Sequence, residues 1–280
     1  MKNMKIVWTI LVVLYIMFGA LFPVLADEQI VEFNSSEAPP FWCTSLPDDG
    51  MGGEVLHAIS KEIGVKSVIK ISPLKRARRN LTSNHVGTPE MLAPQDFCAI
   101  IPIAVCRLAF FYYKPHHEKE MTYRGLDDIK GYALGVIRGA LDDVSFFEKK
   151  GIKVVKLNSE DSMIKMLKNG RIDLCSMLKL SGIYTINKMF PDDAENFLNF
   201  EIKGTATPVT VMIDKYFPGG KELGEKYTNG LKMIIENGKY IEILEKYYGR
   251  GKIPHDWFMQ LEKFNHIYKR PVLRVTDKAL

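Results

Sequence analysis

The sequence predicts an α/β protein, and three observations predict it. Short apolar or β-branched runs alternate with segments of helical periodicity, the pattern of sheets flanked by helices. One run, Ala99 to Val105, is apolar without alternation, as a strand buried on both faces requires. Between Tyr132 and Met177 the order is strand, helix, strand, helix, strand, which is enough for a second parallel sheet.

Residues 1–26 are set apart from that fold. Lys2 and Lys5 precede the hydrophobic stretch Ile6 to Phe22, and Val24-Leu25-Ala26 is a small-residue cleavage signal before Asp27. An uncleaved anchor is the alternative, because the apolar stretch is long for a signal core. The expected mature chain begins at Asp27 and works outside the cytoplasm, in the periplasm. The whole chain carries a formal net charge of +5, from 38 basic and 33 acidic residues. Without Lys2 and Lys5 the balance is +3, and no long basic run remains, so nucleic acid is not expected as a partner. The remaining length, about 250 residues, suits one large domain or two of ordinary size.

Cys43, Cys98, Cys106 and Cys175 are the four cysteines. In an oxidising compartment one disulfide is expected among the first three, with no pair singled out. Cys98 and Cys106 flank the central strand, too far apart to bridge directly if it is extended. Their spacing lacks the CxxC pairs of a zinc site, so no metal and no cofactor is expected.

In chain order, Gln29 to Phe33 reads as a first strand. It ends in Ala38-Pro39-Pro40-Phe41-Trp42, a proline-stiffened loop whose aromatics either line a binding site or cap the core. Gly53 to Ile63 is a helix with Val55, Leu56, Ile59 and Ile63 on one face and Gly64 as its stop. Val68 to Ile71 is a strand. Pro73 then opens a short basic helix carrying Lys75, Arg76, Arg78 and Arg79, which is either a solvated face or a face from which Arg76 turns into a cleft. Thr82 to Gln95, polar with Gly87, Pro89 and Pro94, reads as a surface loop.

The central strand leads to Arg107 and then to Phe110-Phe111-Tyr112-Tyr113-Lys114-Pro115. A guanidinium at the end of a buried strand stays charged, so it needs either an acid of its own domain or an anionic ligand. Open α/β sheets take ligands beyond the carboxyl ends of their strands, which is where Arg107 is expected. Leu126 to Gly131 is a helical turn and Tyr132 to Ile137 a strand. The latter runs into Arg138-Gly139-Ala140 and a helix, Leu141 to Lys150, an arrangement of free backbone N–H groups suited to an anion. Ile152 to Leu157 is a strand, Ser159 caps a helix burying Met163, Ile164 and Leu167, and Ile172 to Met177 is a strand. Thr207 to Ile213 is a β-branched strand. Helices follow near Lys221 to Glu236 and over Tyr240 to Tyr248, with a last one capped by Asp256 whose Trp257, Leu261, Phe264 and Tyr268 form a core-facing stripe.

Several of these pieces together resemble the bacterial extracellular solute-binding proteins of family 3, the polar amino-acid-binding type. They are Ala38-Pro39-Pro40-Phe41 with Gly52-Gly53-Glu54-Val55, Ile100 to Pro115, and Leu126-Asp127-Asp128-Ile129-Lys130-Gly131-Tyr132 with Gly135-Val136-Ile137-Arg138-Gly139. Met166 to Asp173 and Asn229 to Tyr240 complete the series. The resemblance implies a two-lobe periplasmic-binding-protein-like (type II) fold with two hinge crossings, a ligand cleft and a discontinuous first lobe. The expected division is 27–119 for the first part of lobe 1, 120–206 for lobe 2 and 207–280 for the rest of lobe 1. It further implies a monomer without enzymatic activity that captures a small-molecule ligand for an ABC permease. The ligand-binding residues expected are Phe41, Trp42, Arg76, Arg107, Arg138 and Gly139.

Two departures bear on the ligand. The family's carboxylate-binding arginine commonly follows a Thr-x-x-Arg pattern, whereas this chain has Ala104-Val105-Cys106-Arg107. An acid for the ligand's ammonium is expected five residues after Asp173, where Leu178 stands, followed by Lys179. A small anion is therefore a better ligand than a simple amino acid. Two other readings compete: a paralogue that signals to a membrane partner, and a dehydratase-type enzyme. The acid–base candidates for the latter, Glu37, Glu54, His57 and the pair His116-His117, form no recognisable constellation.

Overall fold

The computed structural model describes residues 29–72, 74–77, 83–88, 96–138 and 144–268. Residues 1–26, expected to be an export segment, and Gly139 lie outside the described residues. Two five-stranded sheets organise the rest, one per lobe.

The first lobe is built from β1 (Ile30–Ser35), α1 (Met51–Glu62), β2 (Lys66–Ile71), the single-turn α2 (Leu74–Ala77), β3 (His85–Gly87) and β4 (Phe97–Cys106). The second comprises β5 (Leu108–Tyr113), β6 (Ala133–Ile137), α3 (Ser145–Lys149), β7 (Lys153–Leu157), α4 (Glu160–Lys168), β8 (Leu174–Leu178), α5 (Lys179–Met189) and β9 (Phe197–Glu201). The chain then returns to the first lobe as β10 (Thr207–Asp214), α6 (Gly220–Glu236), α7 (Lys239–Tyr248) and α8 (Trp257–Tyr268). Strand order is β2-β1-β3-β10-β4 in one sheet and β7-β6-β8-β5-β9 in the other. The strands β1, β2 and β3 are parallel, as are β6, β7 and β8, while β10 runs antiparallel to β3 and β4, and β5 antiparallel to β8 and β9.

The first-lobe core is closed by the C-terminal helices, as the aromatic stripe predicts. Trp257, fully buried, donates from Nε1 to the Tyr240 hydroxyl at 3.0 Å, which in turn donates to the Ile103 carbonyl at 2.7 Å. Thus α7 and α8 are tied to the middle of β4 by a chain of satisfied buried polar groups. On the other side the Tyr227 hydroxyl of α6 meets Ser60 at 3.1 Å and Ser67 at 2.9 Å, joining α6 to α1 and β2. In the second lobe Ser159 caps α4 as expected, accepting from the Ser162 N–H at 3.2 Å.

Three expectations are corrected. The chain leaves the first sheet at Arg107, twelve residues before the boundary set at residue 119. The aromatic run Leu108–Tyr113, which the sequence reading assigned to no element, is a strand of the second sheet, paired with β8 and β9. Its alternate faces fill two separate cores, Phe111 with Met163 and Leu167 on one side, and Phe110 and Tyr112 with Leu134 and Val136 on the other. Residues 82–95 are not all surface loop, because His85–Gly87 bridges β1 and β10 in the middle of the sheet and Asn84, His85 and Val86 are buried. No disulfide joins Cys43, Cys98, Cys106 or Cys175, which removes the expected one. Cys106 instead donates to the Thr207 carbonyl, and Cys98 to those of Ile213 and Asp214.

Candidate functional site

The junction between the lobes consists of two chain crossings side by side. Arg107 is the single residue between β4 and β5, and residues 202–206 link β9 to β10. The crossings are hydrogen-bonded to each other: Ile202 N–H donates to the Leu108 carbonyl at 3.0 Å, and Leu108 N–H to Thr205 Oγ1 at 3.1 Å. Lys179 N–H donates to the Arg107 carbonyl at 2.8 Å, fixing the start of α5 to the same point.

Arg107 is buried, and its guanidinium is paired within the chain. Nε lies 3.1 Å from Glu201 Oε1, and Nη2 lies 2.6 Å from Asp256 Oδ1. Glu201 Oε2 also meets Lys179 Nζ at 3.2 Å, and Asp256 Oδ2 accepts from Gln260 Nε2 at 3.2 Å. Partial burial works against ionisation of Asp256, but the Arg107 charge and hydrogen bond outweigh it and hold the carboxyl below its usual range. Of the two readings of Arg107, the geometry supports pairing with acids of its own chain. Neither partner was picked out by the sequence, because Glu201 and Asp256 reach Arg107 from 94 and 149 residues away. A cavity of about 260 Å³ opens beside these groups, lined also by Lys203, Gly204 and Lys263.

Phe41 and Trp42 are core residues, with 2% and 3% of their surface exposed, and do not form an open aromatic wall. The reason is local. A Cβ on Gly52 would lie 2.7 Å from the Trp42 ring, so the glycine lets the indole lie directly on α1. Arg76 is exposed on α2, just beyond the carboxyl end of β2. Arg138 is exposed just beyond the carboxyl end of β6, with Nε donating to Asn158 Oδ1 at 3.1 Å. The helix expected from Leu141 is described over Ser145–Lys149, and residues 139–143 of that expectation lie outside the described residues. Leu178, at the end of β8, and Leu180, in the first turn of α5, pack against the apolar cluster of the first lobe, although both belong to the second.

The acid–base candidates are dispersed. Glu37 accepts from Thr44 at 2.7 Å, Glu54 binds Lys246 at 2.8 Å, and His57 meets Asp49 at 3.2 Å. His116 bonds the Lys168 carbonyl at 2.8 Å, and His117 lies edge-on to Tyr112, where burial lowers its pKa. Each has a structural partner of its own. A titratable group that the sequence did not mark is Glu160, the first residue of α4. Burial pushes its carboxyl up to about 7, although Thr185 Oγ1 donates a hydrogen bond to it at 3.3 Å. Among the described residues no group of three His, Cys, Asp or Glu could hold a metal ion, and no helix is long and apolar enough to cross a membrane.

No family model and no curated protein matches the chain. Solved structures do. An ancestral arginine-binding protein bound to arginine superposes with a TM-score of 0.60 at 22% identity, over 79% of this chain and 99% of that one. The GluR0 ligand-binding core from Nostoc punctiforme, in complex with L-glutamate, gives 0.58 at 15% identity over 78% and 99%. A histidine kinase sensor domain similar to periplasmic binding proteins gives 0.60 at 16% identity over 80% and 96%. The class is therefore defined by its architecture. The fold is the mixed α/β, two-lobe fold of periplasmic binding proteins, and the solved structures that share it include an arginine-binding protein, the substrate binding protein of an amino acid ABC transporter, a ligand-binding core and a sensor domain.

Proposed function

We propose that this chain is a non-enzymatic binding protein that works outside the cytoplasm. It captures a small polar, anionic solute between its lobes and hands it to the permease of an ABC importer. The observation that carries the reading is the pair of adjacent crossings at Arg107 and 202–206, which joins two lobes, each with its own sheet, through a short double link. Such a link allows the lobes to close around a ligand that contacts both. Arg76 and Arg138 support an anion, because each is exposed beyond the carboxyl end of a parallel strand, one in each lobe. In this reading they take over the anchoring role first expected of Arg107.

A second reading, signalling to a membrane partner, is favoured by Leu178. An aliphatic side chain packed on the first lobe offers no counter-charge to an ammonium group, and a sensor domain shares the fold. A permease gene beside this one favours import, and a sensor-kinase gene favours signalling.

Mass spectrometry of small molecules released from protein purified without refolding tests the capture reading, followed by calorimetry with the released compound. The expected result is a small acid whose binding weakens by about 2 kcal/mol in Arg76→Gln or Arg138→Gln, the scale for truncating one partner of a desolvated charge pair. A cationic solute, or an acid bound equally well by both variants, overturns the anion assignment.

A further inference from the structure

We propose that the Arg107 bridge makes helix α8 a strap that fixes the angle between the lobes. The bridge is a three-body contact with a member on each moving part. Arg107 occupies the first crossing, Glu201 is the last residue of the second lobe before the other crossing, and Asp256 belongs to the first lobe, immediately before α8. The Arg107 side chain is 7% exposed, so its charge depends on these acids for compensation. Turning the second lobe about the crossings moves Glu201 relative to Asp256. A planar guanidinium keeps its hydrogen bond to Asp256 and its ion pair with Glu201 together only over a narrow range of that rotation. The helix that carries the strap is itself anchored, since Trp257, next to Asp256, is tied through Tyr240 to β4. The bonds from Ile202 to Leu108 and from Leu108 to Thr205 then transmit the restraint into both links. The device concerns the hinge alone and holds whatever solute the protein takes.

Amide hydrogen exchange read by mass spectrometry tests it, on the full chain without added ligand. Asp256→Asn keeps the shape of the side chain and removes the charge. The strap predicts exchange at Leu108 and Ile202 faster by roughly tenfold or more, the scale of one charge-assisted hydrogen bond lost. The α6 amides around Tyr227 should be unchanged. Glu201→Gln, on the opposite lobe, should give the same pattern and extend it to Trp257 and Gln260. Acceleration confined to the first turn of α8 in Asp256→Asn, with the crossings at wild-type rates, overturns the proposal. Should Asp256→Asn fail to fold, as near-ultraviolet circular dichroism of the buried Trp42 and Trp257 would reveal, Glu201→Gln decides alone. Unchanged exchange across α8 in that variant is then the refuting result.

Discussion

Glu160 gives the protein a pH-dependent weak point. Burial pushes its carboxyl up from the ordinary 4.5 to about 7, so the folded state holds a proton that the unfolded state has already released. The sign follows from proton counting. Between about 4.5 and 7 the native chain binds more protons at this site than the unfolded one, so stability falls as pH rises through that window. Below the window both states are protonated and the site is neutral in effect. Above it the buried carboxylate is a full penalty. At about 1.4 kcal/mol per pH unit of displacement, the penalty is about 3 kcal/mol. Glu160→Gln removes the charge and leaves an amide oxygen to accept from Thr185. Urea unfolding of both proteins from pH 4 to pH 9 should show equal stability at the acid end and a variant more stable by about 3 kcal/mol at the alkaline end. Other titrating groups, among them His117 with its lowered pKa, act on both proteins and cancel in the difference. A difference that stays flat across the window would refute the argument, because it would mean that Glu160 ionises as freely in the folded chain as in the unfolded one.

Other outcomes are as definite. Arg107→Met leaves Asp256 without its cation and Glu201 with Lys179 alone, which should cost about 2 kcal/mol in chemical unfolding. That is less than for a fully buried pair, since both acids are about 40% exposed, and the loss should shrink in acid as Asp256 protonates. Gly182→Ala places a Cβ 2.3 Å from the Phe111 ring and should lower the melting temperature, since overpacking by roughly 1–3 kcal/mol outweighs the better helix preference of alanine. A melting temperature at or above wild type would show that the ring relaxes. Export predicts a mature N-terminus at Asp27, and the intact mass of the protein from the periplasmic fraction checks it; a full-length species held in the membrane would contradict cleavage after Ala26.

The sequence by itself determined the elements whose signals are local. The period of Val55, Leu56 and Ile59 makes α1, the β-branched run after Thr207 makes β10, and Ser159 caps α4, because each depends on neighbours within a few residues. The strand–helix alternation after Tyr132 likewise marks β6, β7 and β8 as strands, although their order and the antiparallel β5 and β9 beside them came from the fold. The tertiary structure decided what depends on partners far along the chain. A three-residue strand such as β3 has no periodicity to read, and exists because β1 and β10 leave an open ladder between them. The division of one apolar stretch into β4 and β5 is invisible in composition, since both halves are buried and only the choice of sheet differs. The state of Arg107 was left open for the same reason. A buried guanidinium demands compensation, which sequence can state, but whether an acid or a ligand supplies it is set by where folding delivers Glu201 and Asp256.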